Sequence, residues 1–393
     1  MLTGTRQTRF KQRGAVAPLT AVSMTTLIGF TAIAVDLGML YNVRNELQRT
    51  ADATALGAAR ELVNDDRLKV NASSAWMNDV RDEAVSYAAI NKVYGNTPSI
   101  STNSGNSIDG DLVIGYLNDS TDLTELLKVD DESRFNSVQV RIRRDGTLNG
   151  PVQLFFGQLL GLTSSDLGAT ATATLQDGVT GFRVTENSVN AGLLPFALHI
   201  DAWNDLLNLV STTGDSYGMN DDGNVVGSGD SIFELNLYPG AGASQLPPGN
   251  FGTVDIGSPN NSTADLSRQI LEGVNESDMS YFDNNELKLG PDGTLLLNGD
   301  TGLSAGIKDE LEAIKGMPRT IPLFNNVSGN GNNSMYTIVG FAGIRILNVK
   351  LTGKMSNKAV IIQPAYVVDQ TAITGDASEG TSFFVYDEVR LTR

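Results

Sequence analysis

Hydrophobic and polar positions divide the chain sharply near its start. From residue 15 to residue 35 (AVAPLTAVSMTTLIGFTAIAV) no charged side chain occurs, and Arg13 and Asp36 frame the run. At about 1.5 Å per residue, a helix of that length spans roughly 30 Å, the hydrocarbon thickness of a bilayer. The pattern predicts a transmembrane helix over residues 15–35. A cleaved secretory signal or a buried core helix would share part of it. Against the first stand the length of the run and the lack of a small-x-small cleavage site ending it in a turn. Against the second stands the charge asymmetry of the flanks.

After Asp36 the periodicity changes while the helix formers continue. Leu40, Val43, Leu47, Ala51, Thr54 and Ala58 recur at spacings of three and four, and Arg44, Glu46, Gln48, Arg49 and Asp52 fall largely on other faces. The helix is expected to run on as an amphipathic stem, with Leu40, Val43, Leu47, Ala51 and Ala58 as its interface. A second helix is expected over residues 73–94, with Trp76, Val80, Ala84, Tyr87 and Ala88 on one side.

Alternation then predicts strands at residues 111–117, 137–144 and 166–177, the second with Val138, Val140 and Ile142 on one face. A short amphipathic helix is expected over residues 150–162, begun by Pro151. Gly-, Asn- and Pro-rich loops follow, with short helices expected at 202–210, 263–272 and 304–315. The clearest alternation lies at 335–353, 358–370 and 382–393, which predicts an antiparallel sheet built mainly from residues 320–393. The fold class is α+β: a transmembrane helix continuing into an amphipathic stem, a small α+β domain, then a mainly antiparallel β domain. Its expected parts are a basic cytoplasmic segment (1–14), the membrane helix (15–35), the stem and α+β domain (36–180) and a β-rich outer domain (181–393).

Charge gives this layout a direction. Residues 1–14 carry Arg6, Arg9, Lys11 and Arg13 and no acid, in a chain whose net charge is −17. Basic residues beside an apolar helix stay on the cytoplasmic side, so Arg9, Lys11 and Arg13 on one flank and Asp36 on the other orient the span. The expected location is a bacterial inner membrane, single-pass, with the bulk periplasmic or extracellular and the lipid bilayer as one partner. Thr20, Ser23, Thr25, Thr26 and Thr31 interrupt the apolar run. Their hydroxyls can bond back to the preceding turn, and small residues such as Gly29 let partner helices, including a second copy of the chain, approach closely.

Composition removes several chemistries. The acidic balance argues against nucleic acid as a partner. The chain has no Cys, which excludes thiolate nucleophiles, zinc–thiolate sites and disulfides. His199 is the only histidine, so a Ser-His-acid triad would have to use it, and no G-x-S-x-G elbow accompanies it. No catalytic residue and no cofactor is expected. Calcium is the one ion the composition suits, through Asp215, Asn220, Asp221, Asp222, Asn224 and Asp230 in one Gly-rich loop. Their spacing misses the EF-hand: with Gly223 sixth, Gly218 would be first. GAGA at 240–243 and GNGNN at 329–333 lack a phosphate-loop frame and read as turns. Arg141, Arg143 and Arg144 could form a basic strand face for an acidic partner or lipid headgroups, or simply be solvated.

Three motifs around the apolar run resemble a known family. RGAVA at residues 13–17, AVDLG at 34–38, and the LQxxADAxAL pattern of Leu47, Gln48, Ala51, Asp52, Ala53, Ala55 and Leu56 are similar to the amino-terminal module of TadG-like Tad (Flp) pilus assembly proteins. The resemblance implies a membrane-anchored, envelope-side, non-enzymatic component of a pilus or secretion apparatus, with other Tad or envelope assembly proteins as partners. Larger relatives carry a von Willebrand A domain with a D-x-S-x-S metal motif. Asp265-Leu-Ser267 and Asp278-Met-Ser280 lack its second serine. The alternative is a pilin-like subunit cleaved between Gly14 and Ala15 and built into a filament. Polymerising pilins place Glu at the fifth mature position, where this chain has Leu19.

Overall fold

The computed structural model describes residues 16–220, 222–238, 246, 250–257, 262–301, 305–375 and 381–392. Arg9, Lys11, Arg13, Gly14 and Ala15 lie outside the described residues, as do Asp221 and the 240–243 turn.

One helix, α1 (Val16–Arg60), runs through both the apolar stretch and the stem. At about 1.5 Å per residue it is roughly 68 Å long, more than twice a bilayer core. Among the described residues it is the one helix long and apolar enough to cross a membrane. Val16, Leu19, Val22, Met24, Leu27, Ile28 and Phe30 all face outward. The hydroxyls of Thr20, Thr25, Thr26 and Thr31 bond to carbonyls of the preceding turn at 2.8–2.9 Å, so the run presents no unpaired hydroxyl at these positions.

The stem half is covered by the chain itself. Val43, Leu47, Ala51, Thr54, Ala55, Ala58 and Ala59 are fully buried, and Leu40 packs at their margin. Helix α2 (Trp76–Ile90) lies against α1 and contributes Trp76, Val80, Ala84 and Ala88 to the same core. Gly57 permits the close approach: a Cβ there would sit 2.4 Å from the Tyr87 ring.

The stem also rests on an antiparallel sheet. After β1 (Leu112–Gly115) and β2 (Ser137–Arg144) come the two-residue strands β3 (Val152–Gln153) and β4 (Ser164–Ser165), then β5 (Leu167–Leu175). The sheet runs β1–β2–β5 and is completed by Val389–Leu391 from the far end of the chain. Val138, Val140 and Ile142 of β2 and Ala169, Ala171 and Ala173 of β5 face the stem core. Small side chains on both surfaces let helix and sheet pack closely. This sheet takes three strands from before residue 180 and one from after it.

The larger sheet is built around Ser334–Lys350, with Pro318–Ser328 and Ala359–Pro364 antiparallel to it. Leu295–Thr301 and Leu235–Tyr238 extend it, and only short pairings with Leu198–His199 and Ser382–Phe383 are parallel. Short helices at Ile200–Leu207, Thr263–Glu272 and Lys308–Ala313 lie close to their expected places. The mixed α+β architecture, with a long apolar amino-terminal helix and a mainly antiparallel β domain, is as expected.

Two local expectations fail. Residues 150–162 are a strand followed by a single 3-10 turn (Gly157–Leu160). Gly150 and Gly161 take positive φ values of 65° and 82° at either end, and the amides that would begin a helix are bonded elsewhere. Residues 382–393 are not one strand: Phe384 has φ +60°, and the segment is cut into pieces that join three different sheets. The basic face of β2 is answered within the chain. Arg141 and Arg143 pair with buried Asp111 at 3.2 and 2.9 Å, and Arg144 bonds the carbonyls of Asn149 and Gly150.

Arg67 joins the two halves. Its guanidinium donates to the carbonyls of Leu62 and Phe135 and lies between the Trp76 ring (4.6 Å) and the Tyr366 ring (5.5 Å). Nearby, Arg345 of the large sheet pairs with Asp65 at 2.7 Å.

Candidate functional site at the foot of the stem

The apolar run ends at Asp36, and there the helix meets the rest of the chain. Asp36 is 6% exposed although most of its helical neighbours face outward. Its two carboxylate oxygens accept three consecutive backbone amides: Phe155 at 2.9 Å, Phe156 at 3.0 Å and Gly157 at 2.6 Å. A carboxylate receiving several N–H donors makes charge-assisted bonds and keeps its charge compensated out of water. The residue that ends the apolar run in the sequence therefore also fastens a loop 121 positions away.

That loop is the tip of the β3–β4 hairpin. Val152 pairs with Ser165 and Gln153 with Ser164, and Leu154 N–H donates to the Thr163 carbonyl. The Leu159 amide bonds Phe156, that of Gly161 bonds Gln158, and that of Leu162 bonds Gly157. Gly157 is required by space, because a Cβ would lie 2.7 Å from both Leu154 Cδ1 and the Leu162 carbonyl. With the backbone turned inward, the apolar side chains point out: Phe155 is 65% exposed, Leu159 82%, Leu160 68% and Leu162 60%. Burying one such side chain is worth about 1.5–3 kcal/mol, so the cluster represents a substantial unused driving force.

Between loop and helix runs a groove of about 420 Å³. Its helix wall is Gly29, Ala32, Ile33, Asp36, Leu37 and Leu40, at the spacings of one helical face, and the loop supplies Leu154, Phe156, Gly157, Leu159, Leu160 and Leu162. Asp36 is the one charged residue in the lining, and its carboxylate is already engaged.

The other candidate residues lie elsewhere. Val43, Leu47, Ala51 and Ala58 are inside the stem core, where they hold the chain's own sheet and α2. His199 is buried at the start of a helix, α3 (Ile200–Leu207). Its Nδ1 accepts the Asp201 amide at 3.1 Å, and its ring stands edge-on to Phe324. In the Gly-rich loop, Asp215 accepts the amides of Asp230 and Ser231, Asn220 accepts that of Asn224, and Asp230 accepts those of Ile232 and the Gln363 side chain. Among the described residues no group of three or more His, Cys, Asp or Glu is placed to hold a metal ion. Asp265 and Asp278 close capping boxes with Ser262 and Asn275, and Asp278 also pairs with Arg268.

A second, polar cleft of about 690 Å³ lies where the two halves meet, lined among others by Tyr116, Arg134, Asn136, Asp177, Ser382 and Tyr386. Partial desolvation in the cleft wall pushes the Asp177 carboxyl upward against a hydrogen bond from Asn136, although the residue remains solvent-exposed, and desolvation likewise raises the Tyr386 phenol.

Sequence reasoning missed the Asp36 bonds and the exposed loop. The loop had a signal, a charge-free segment rich in Phe and Leu between two glycines, whereas the sequence around Asp36 marks only the end of an apolar run.

Residues 14–61 match the Tad family, described as Flp pilus-assembly TadE/G-like. Residues 57–173 match Tad_C, described as Tad-like Flp pilus-assembly. The first match coincides with α1, and the second takes in α2, β1 to β4, most of β5 and the exposed loop. No curated protein and no solved structure matches the chain. Residues 14–173 thus carry two adjoining Flp pilus-assembly modules, which meet in the stem and support a TadG-like Tad pilus protein.

Proposed function

We propose that the protein is a single-pass, membrane-anchored structural subunit of a Tad-type pilus assembly or secretion apparatus, serving as an accessory component without catalytic activity. The observation that carries this is the continuity of α1: an exposed apolar half leads without a break into a half buried in the Tad_C module. An exposed apolar surface of that length is stable in lipid and not in water. The stem would hold the outer β domain at a fixed distance from the bilayer, facing other Tad or envelope assembly proteins. Fractionation of the intact protein tests this. Recovery with the inner membrane, released by detergent and not by alkaline carbonate, is expected. Recovery from the soluble cytoplasm overturns it.

A filament-subunit reading has one observation in its favour, since the same exposed helix face could be covered by neighbouring copies. Leu19 supplies no carboxylate for a freed amino terminus on that face. A mature chain beginning at Ala15 in sheared filaments would establish this reading over the fixed anchor.

A further inference from the structure

We propose that the tip of the β3–β4 hairpin, residues 155–162, is a second membrane-contacting element. It enters the acyl region of the leaflet that α1 leaves, and Asp36 is the positioning residue that holds it there. The proposal rests on the reading of α1 as a membrane span.

The surface is continuous with that span. The groove wall reaches from Leu40 back to Gly29, seven residues inside the apolar run, or roughly 10 Å below Asp36 along the helix axis. A loop lying beside that stretch of helix lies beside lipid wherever the helix does. Its composition suits the location: residues 150–165 (GPVQLFFGQLLGLTSS) contain no charged side chain. At the tip, residues 155–162, its outward side chains are Phe155, Phe156, Leu159, Leu160 and Leu162, with one polar side chain, Gln158, whose amide nitrogen donates to the Leu154 carbonyl.

The backbone fits as well. A loop can enter hydrocarbon only if its polar groups are bonded internally. The amides of Phe155, Phe156 and Gly157 are bonded to Asp36, and those of Leu154, Leu159, Gly161 and Leu162 to carbonyls within the loop. A water-exposed turn has no need of a buried carboxylate to bond three of its amides. Asp36 does for this loop what Thr hydroxyls cannot, supplying two acceptor oxygens to donors that point at the helix. An aromatic side chain, Tyr41, stands 69% exposed just above on the stem, where a lipid interface favours such rings.

The lack of native cysteine allows single labels. Phe30→Cys, Leu159→Cys and Ile90→Cys, each in the full chain, would carry a nitroxide and be reconstituted into phosphatidylcholine–phosphatidylglycerol vesicles. Accessibility to oxygen and to a water-soluble nickel chelate is then read by electron paramagnetic resonance. The label at 30 should favour oxygen, that at 90 should favour nickel, and that at 159 should resemble 30, with a ratio several-fold above that at 90. Adding Asp36→Ala to Leu159→Cys should move the 159 label towards the value at 90.

If 30 is lipid-exposed while 159 behaves like 90, the loop inference fails and the anchor stands. If 159 is shielded from both reagents, a protein partner or a second copy covers it, and the lipid assignment is overturned. If 30 itself favours nickel, the anchor reading fails and takes the loop with it. A far-ultraviolet circular dichroism spectrum and a cooperative melt retained by the Asp36→Ala variant show that the fold has survived. A 159 label that stays in lipid there removes Asp36 from the proposal.

Discussion

The Asp36 carboxylate lies 2.6 Å from the amide of Gly157, closing a contact between the foot of the helix and a hairpin tip 121 residues later. One acid thus sets the depth of the loop relative to the helix. It also prevents the helix from shifting by a turn relative to the sheet without breaking three bonds at once.

Replacing Asp36 with Ala leaves three amides without an acceptor in a site that is 6% exposed. Hydrogen bonds to a charged group contribute about 1.5–3 kcal/mol, and unpaired buried donors add to the loss, so a destabilisation of about 3 kcal/mol is expected. Amide exchange at residues 155–157 should accelerate first. Asn, with one acceptor oxygen, should recover only part of the effect.

Gly57→Ala sets two effects against each other. The substitution gains about 1 kcal/mol in helix propensity. It also drives a methyl to 2.4 Å from the Tyr87 ring, and overpacking of this kind costs about 1–3 kcal/mol. The clash should win, lowering the melting temperature in detergent. Tyr87→Ala in the same background should restore most of the loss.

Arg67→Lys keeps the charge and removes the fork. A lysine cannot bond the Leu62 and Phe135 carbonyls while stacking between Trp76 and Tyr366, so a loss of about 2 kcal/mol is expected. Because these rings belong to different halves, urea unfolding should also become less cooperative.

Asp177 predicts a pH dependence of defined sign. Its carboxyl, in the wall of the polar cleft, is raised by partial desolvation above its value in an unfolded chain although the residue remains solvent-exposed, so its ionised form opposes folding only weakly. The cost is complete above the folded pKa, declines as pH falls through it, and vanishes below the unfolded value near 3.8. Asp177→Asn should therefore be more stable than the parent at pH 7–8, with the gap closing on acidification. Melting curves across that range check it, and a gap that widens at low pH contradicts it.

Much of the fold was legible because periodicity reports burial. The stem stripe, the alternating face of β2 and the long strand Ser334–Lys350 each follow a simple repeat. What could not be read were contacts between distant segments. Nothing in the residues around Asp36 names residues 155–157 as its partners, and nothing in β2 announces that Asp111 neutralises its arginines. Residues 150–162 misled for a related reason. Phe and Leu at close spacing suggest a helix facing a core, but here the apolar face has no core opposite it. The family motifs located the helix, and the geometry supplied the loop.

The strand Val389–Leu391 lies along the outer edge of β5, and the hydroxyls of Thr174 and Thr392 meet at 3.2 Å across 218 positions. During synthesis the stem and its first three sheet strands emerge long before that strand. Until it arrives, β5 presents an open row of backbone donors and acceptors to any other growing copy. The strand is then a latch: a late-made segment pairs with an early-made strand and seals the edge through which nascent chains could otherwise pair. Completion of the carboxy-terminal sheet and protection of the stem-side one become a single event.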